Sequence, residues 1–72
     1  MKRRIAILGS TGSIGTQALE VIRQHADKLD VEVLTAHSNA QLLIRQALEF
    51  MPNAVVIVKE SMYDRVYEAL DP

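Results

Sequence analysis

Between Ile5 and Ile22 the chain reads IAILGSTGSIGTQALEVI: an aliphatic run, then Gly9, Gly12 and Gly15, then a helical pattern. Few arrangements satisfy that succession. Short aliphatic runs are characteristic of buried parallel strands, and Ile14, Ala18, Val21 and Ile22 recur at helical spacing. The passage therefore predicts a strand that turns sharply into a helix. Such a turn aims free backbone N–H groups and the positive end of the helix dipole at one point, where an anion is favoured. Thr11 and Ser13 add hydroxyl donors.

Each glycine has a separate task in this reading. Gly9 allows the turn off the strand, Gly12 admits a phosphate close to the backbone, and Gly15 lets the helix pack on the sheet. The spacing G-x-x-G-x-x-G departs from the dinucleotide fingerprint G-x-G-x-x-G because Thr11 occupies the middle glycine position. The nucleotide-triphosphate loop G-x-x-x-x-G-K-[ST] fails, since Ile14 stands at its second glycine and no Lys follows Gly15. A G-x-S-x-G nucleophile elbow fails at Thr11. The plain alternative is a strand-to-helix turn that binds nothing.

The alternation continues downstream. Arg4 to Leu8, Val31 to Ala36 and Ala54 to Val58 are aliphatic or β-branched, while Leu43, Ala47, Phe50 and Met51, then Tyr63, Val66, Tyr67 and Leu70, follow helical spacing. Ser38 or Asn39 is placed to cap the second helix, Pro52 to stop it, and Ser61 with Asp64 resembles a capping box. The order βαβαβα predicts an α/β fold: a three-stranded parallel sheet with right-handed crossovers and helices over its faces, half of a doubly wound, Rossmann-like unit. A half-sheet leaves an unpaired edge, so the 72 residues are expected to be a fragment of a larger domain, ending at Asp71-Pro72 where a fourth strand would begin.

The second strand ends at Thr35-Ala36-His37-Ser38-Asn39, where NAD-binding folds usually carry an acid for the adenosine ribose hydroxyls. No carboxylate here would repel a 2′-phosphate, and His37, Ser38 and Asn39 can donate to one. The corner favours NADP over NAD, although helix capping alone also accounts for Ser38 and Asn39. Composition narrows the field further. A net charge of −1 lacks the basic excess that nucleic acid demands, and with no cysteine there are neither disulfides nor a thiolate metal site, as fits a reducing cytoplasm. The apolar run behind MKRR breaks too early for a signal peptide, and no stretch approaches the roughly 20 apolar residues of a membrane helix.

AILGSTGSIG, Ala6 to Gly15, resembles the opening of the 1-deoxy-D-xylulose 5-phosphate reductoisomerase family, with Ser10 to Gly15 the specific part. LTAHSN is similar to that family's second-strand corner, and FMPNAVVI to the approach to its third strand. His37 stands where the family commonly has Gly, and Ser38 where Lys is frequent. The resemblance implies that residues 1–72 are the N-terminal part of an NADPH-binding domain, with the catalytic and C-terminal domains absent from this chain. It implies contacts to NADPH from Thr11, Gly12, Ser13 and Ile14 at the pyrophosphate, and from His37, Ser38 and Asn39 around the adenosine ribose phosphate. For the full-length enzyme it implies a homodimer that uses a divalent metal, Mg or Mn, and a sugar-phosphate substrate. The reaction converts 1-deoxy-D-xylulose 5-phosphate to 2-C-methyl-D-erythritol 4-phosphate in the non-mevalonate isoprenoid pathway, and no catalytic or metal-binding residue is assigned here. Two other readings are an acyl-phosphate or semialdehyde reductase, whose similar opening usually has Ala where this chain has Ser10, and a non-catalytic NADP-sensing domain.

Overall fold

The structure, a computed structural model, describes residues 2–70. The expected boundary at Asp71-Pro72 lies outside the described residues. The elements run β1 (Arg3–Ile7), α1 (Ser13–Gln24), β2 (Leu29–Ala36), α2 (Ala40–Phe50), β3 (Ala54–Ile57), a 3₁₀ turn (Glu60–Met62) and α3 (Tyr63–Leu70). All strands are parallel, in the order β1-β2-β3. The expected βαβαβα unit forms, with strand ends displaced by a residue or two; Leu8 and Val58 fall just beyond β1 and β3.

One contiguous core joins Ile7, Val31, Leu34 and Ala36 of the sheet to Leu19 and Ile22 of α1, Leu43 and Ala47 of α2, and Val66 of α3. Helices therefore cover one sheet face, rather than both as the sequence pattern implied. The thinnest dimension is 14 Å, one layer of helices on one layer of strands. The register aligns Ala6, Val33 and Ala54, and likewise Thr35 and Val56, on the opposite face, where Ala6, Ala54 and Val56 are exposed.

A bulge in β2 sets which residues reach the core. Ile5 pairs with Val31 but Ala6 with Val33, so Glu32 is the extra residue. The insertion lets Val31 and Leu34, three apart, point to the same side. Asn53 donates its side-chain amide to both Glu32 carboxylate oxygens at 2.9 and 2.6 Å, and its backbone N–H to the Glu32 carbonyl at 3.0 Å. The bulge is thereby tied to the turn before β3.

Helix α1 is rotated relative to its expected apolar stripe. Gly15, Leu19 and Ile22 face inward, whereas Ile14 is 84% exposed and Val21 52% exposed. The reason is the contact at Gly15: a β-carbon there would lie 2.2 Å from the Gly9 carbonyl oxygen and 2.7 Å from the Ser10 Cα. Gly15 thus seats α1 against the backbone of the preceding loop, not against the sheet as such, and turns Ile14 to solvent.

At α2, Asn39 is the cap: its Oδ1 accepts the Leu42 N–H at 3.1 Å. Met51 ends the helix in the left-handed region at φ 52°, with Pro52 after it. Leu43 and Ala47 are buried as expected, Phe50 is half-buried and Met51 exposed. Ser61 lies inside the 3₁₀ turn instead of capping α3, so the Ser61–Asp64 box does not mark the helix start. Of the α3 stripe only Val66 is buried; Tyr63 and Tyr67 stack on each other with ring centroids 6.0 Å apart and stay half exposed. On the outer surface, Arg23 of α1 grips Glu49 of α2 through two nitrogens, at 2.5 and 2.8 Å, also pairs with Glu20, and lies over the Phe50 ring.

A candidate dinucleotide-binding site

In a parallel sheet whose strands are joined by helices, the loops after the strands gather along the carboxyl edge. The β1–α1 loop, Leu8 to Gly12, and the β2–α2 turn, His37 to Asn39, both follow strand ends on that edge. The loop is held to the end of β2 by hydrogen bonds to Thr35: Gly9 N–H donates to Thr35 Oγ1 at 2.9 Å and Ser10 N–H to the Thr35 carbonyl at 2.7 Å.

Within the loop, Gly9 takes a φ of +72°, a conformation that costs side-chain-bearing residues, and swings the chain off β1. Gly12 N–H donates back to the Gly9 carbonyl at 3.1 Å, and Thr16 N–H to the Gly12 carbonyl at 2.9 Å, closing the first turn of α1. Among the described residues, the N–H groups of Thr11, Ser13, Ile14 and Gly15 have no acceptor. No side chain caps α1 at Gly12, and no acid stands in its first turn to offset the dipole. Four donors and the dipole are left for an external anion.

Gly12 bears most directly on a ligand. Its backbone is ordinary extended chain at φ −82° and ψ 176°, and the one atom near a β-carbon placed there is the Gly9 carbonyl oxygen, at a comfortable 3.5 Å. Neither backbone strain nor crowding within the protein requires glycine at this position. What the absent side chain keeps open is the space outside the loop.

Of the other residues singled out in the sequence, Thr11 is half-buried, while Ser13 and Ile14 are exposed around the same helix start. His37, Ser38 and Asn39 are exposed at the neighbouring strand end; the His37 carbonyl accepts Lys59 N–H at 2.7 Å, and its ring makes no hydrogen bond among the described residues. The Asn39 side chain is occupied by its capping bond, so its amide nitrogen is the part left for a ligand. Among the described residues no three His, Cys, Asp or Glu side chains come together to hold a metal ion.

Ser10 and Gln46 hold the loop from behind, a pairing with no signature in the spacing of the motif. Ser10 is fully buried and its hydroxyl donates to Gln46 Oε1 at 2.7 Å, while Gln46 Nε2 donates to the Ser10 carbonyl at 2.8 Å. One signal was available: Gln46 falls three residues after Leu43, on the apolar stripe of α2, where a polar side chain requires a partner. Which partner it takes is a tertiary fact.

Comparison with known proteins finds relatives along nearly the whole chain. A family model described as 1-deoxy-D-xylulose 5-phosphate reductoisomerase matches residues 5–72. Curated relatives of that name are 59% identical over 70 residues in Phocaeicola vulgatus and 58% identical over 69 residues in Bacteroides fragilis, covering 97% and 96% of this chain. The chain spans 18% of the length of each. A solved structure of the Zymomonas mobilis reductoisomerase in complex with NADPH superposes with a TM-score of 0.89 at 37% identity, over 99% of this chain and 19% of that one. A crystal structure of a DOX-P reductoisomerase in complex with magnesium gives 0.86 at 34% identity, over 94% of this chain and 17% of the other.

Proposed function

The chain belongs to the 1-deoxy-D-xylulose 5-phosphate reductoisomerase family, and from that membership we propose that residues 1–72 are the N-terminal part of the enzyme's NADPH-binding domain. The full-length protein rearranges 1-deoxy-D-xylulose 5-phosphate and reduces it to 2-C-methyl-D-erythritol 4-phosphate, in the cytoplasm, as a homodimer with a divalent metal. When bound, NADPH supplies the hydride. The metal ligands and reacting groups belong to other parts of the enzyme, and no step of the chemistry is assigned to these residues.

Their work is binding. The free N–H groups of Thr11, Ser13, Ile14 and Gly15 donate to the pyrophosphate, the hydroxyls of Thr11 and Ser13 add donors, and exposed Ile14 offers an apolar contact at the helix start. His37, Ser38 and the Asn39 amide surround the adenosine ribose and its 2′-phosphate, with no carboxylate between residues 35 and 39 to oppose that charge. The match over nearly the whole chain favours this reading over a semialdehyde reductase or a non-catalytic sensor.

The observation that carries the reading is the space kept open at Gly12 beside four unpaired donors. In the full-length enzyme, Gly12→Val is expected to fold, because its backbone angles suit any residue, and to weaken NADPH binding by about a hundred-fold, since the side chain fills the pyrophosphate position. Calorimetric titration measures this. An unchanged affinity removes the pyrophosphate from this loop.

A further inference from the structure

We propose that Gln46 is a positioning residue for the dinucleotide, holding the pyrophosphate loop in its binding conformation through Ser10. The inference rests on the reading of the glycine loop as the pyrophosphate site.

Gln46 is only 7% exposed, on the inward face of α2, and spends both ends of its amide on one residue of a different element. The orientation of that amide is forced, because the Ser10 carbonyl can only accept and must face Nε2. With Ser10 N–H given to the Thr35 carbonyl, all of Ser10's polar groups are fixed and none meets water. Ser10 is the residue before Thr11, whose N–H is the first of the free donors. It is also the surface on which α1 rests, since a β-carbon at Gly15 would stand 2.7 Å from its Cα and 2.9 Å from its carbonyl carbon. Both the Ser10–Thr11 peptide and the start of α1 therefore take their orientation from a residue clamped by Gln46. A leucine there fills a similar volume but leaves the Ser10 hydroxyl and carbonyl buried without partners, and the peptide turns to find others.

The clamp also links the two halves of the site. Helix α2 begins at the Asn39 cap, in the corner assigned to the adenosine ribose phosphate, and reaches Gln46 about 10 Å further along its axis at the usual rise of about 1.5 Å per residue. One rigid helix thus sets the separation between the ribose corner and the pyrophosphate loop.

The test uses the full-length enzyme with Gln46→Leu and Gln46→Glu, titrated with NADPH and, separately, with adenosine 2′-monophosphate, which engages the ribose corner alone. Circular dichroism and thermal melts establish that each variant is folded at the assay temperature. Gln46→Leu is expected to raise the Kd for NADPH by about ten-fold, the scale set by a buried polar group left without its partner, while the adenosine 2′-monophosphate Kd stays within about two-fold. Gln46→Glu keeps an acceptor for the Ser10 hydroxyl but sets a carboxylate oxygen against the Ser10 carbonyl, and is expected to give the same split; it decides the matter if the leucine variant does not fold. Ser10→Ala, which leaves the Nε2 bond in place, is expected to lose less. A folded Gln46 variant with wild-type affinity for NADPH overturns the proposal, as does an equal loss for both ligands. Failure of the unsubstituted enzyme to bind NADPH removes the dinucleotide reading itself, and this inference with it.

Discussion

A methyl group added at Gly15 meets backbone at 2.2 Å, one added at Gly9 meets nothing but must sit at φ +72°, and one added at Gly12 meets neither obstacle. Three like residues thus answer to three different physics, and stability separates them. Gly15→Ala is expected to cost about 3 kcal/mol, because helix and loop backbones must part. Gly9→Ala is expected to cost about 1–2 kcal/mol for the left-handed conformation, and Gly12→Ala under about 1 kcal/mol for a poorer helix cap. Urea denaturation of the three variants checks the ranking; a Gly15→Ala protein as stable as Gly12→Ala contradicts it. The turn at Gly9 was legible in the sequence because strand, turn and helix are consecutive, whereas the contact of Gly15 with the Gly9–Ser10 backbone, in place of the expected sheet, was not. Nor was the clamp of Ser10, since Thr35 reaches it only through the pairing of β1 with β2 and Gln46 only when α2 lies across the sheet.

At the scale of elements, the alternation of aliphatic runs and helical stripes located all three strands and all three helices, but not how they are turned. Helix α1 takes its rotation from Gly15 against Ser10, so Ile14 and Val21 face water although their spacing fits an inward stripe. In β2 the bulge at Glu32 shifts the alternation midway, which no period-two pattern anticipates. The α1–α2 pair carries a pH signature of its own. Hydrogen bonding to Arg23 holds the Glu49 carboxyl below its ordinary value, against a smaller opposing effect of desolvation. A carboxyl with a depressed folded-state pKa adds stability that is present above its unfolded pKa and lost as pH falls through the folded one. Glu49→Gln is therefore expected to be slightly less stable than the parent at neutral pH and equal to it once the pH lies below the carboxylate range, with the gap narrowing in high salt because both side chains are nearly half exposed. Denaturation midpoints across a pH series measure this, and a gap that persists in acid excludes the ion pair as its source.

In the molecule as a whole, a single layer of helices lies on a single layer of strands, and the candidate site runs along the carboxyl edge of that plate. The sequence conveyed the parallel half-unit but not its one-sidedness, because aliphatic residues such as Val33 and Val56 look the same whether or not a helix covers them. With the order β1-β2-β3, only β2 is bonded on both flanks among the described residues. Expressed as 72 residues, the protein should show its slowest amide hydrogen exchange in β2 and faster exchange in β1 and β3, by mass spectrometry with peptide resolution. Uniform exchange across the three strands contradicts the order. The same strand ends in Thr35, which receives the glycine loop, and continues into residues 37–39. The glycine loop therefore hangs between two clocks, since it continues from edge strand β1 and is bonded to the central strand at Thr35; in the 72-residue chain, fraying of β1 is expected to release the loop while the residue 37–39 corner still stands on β2.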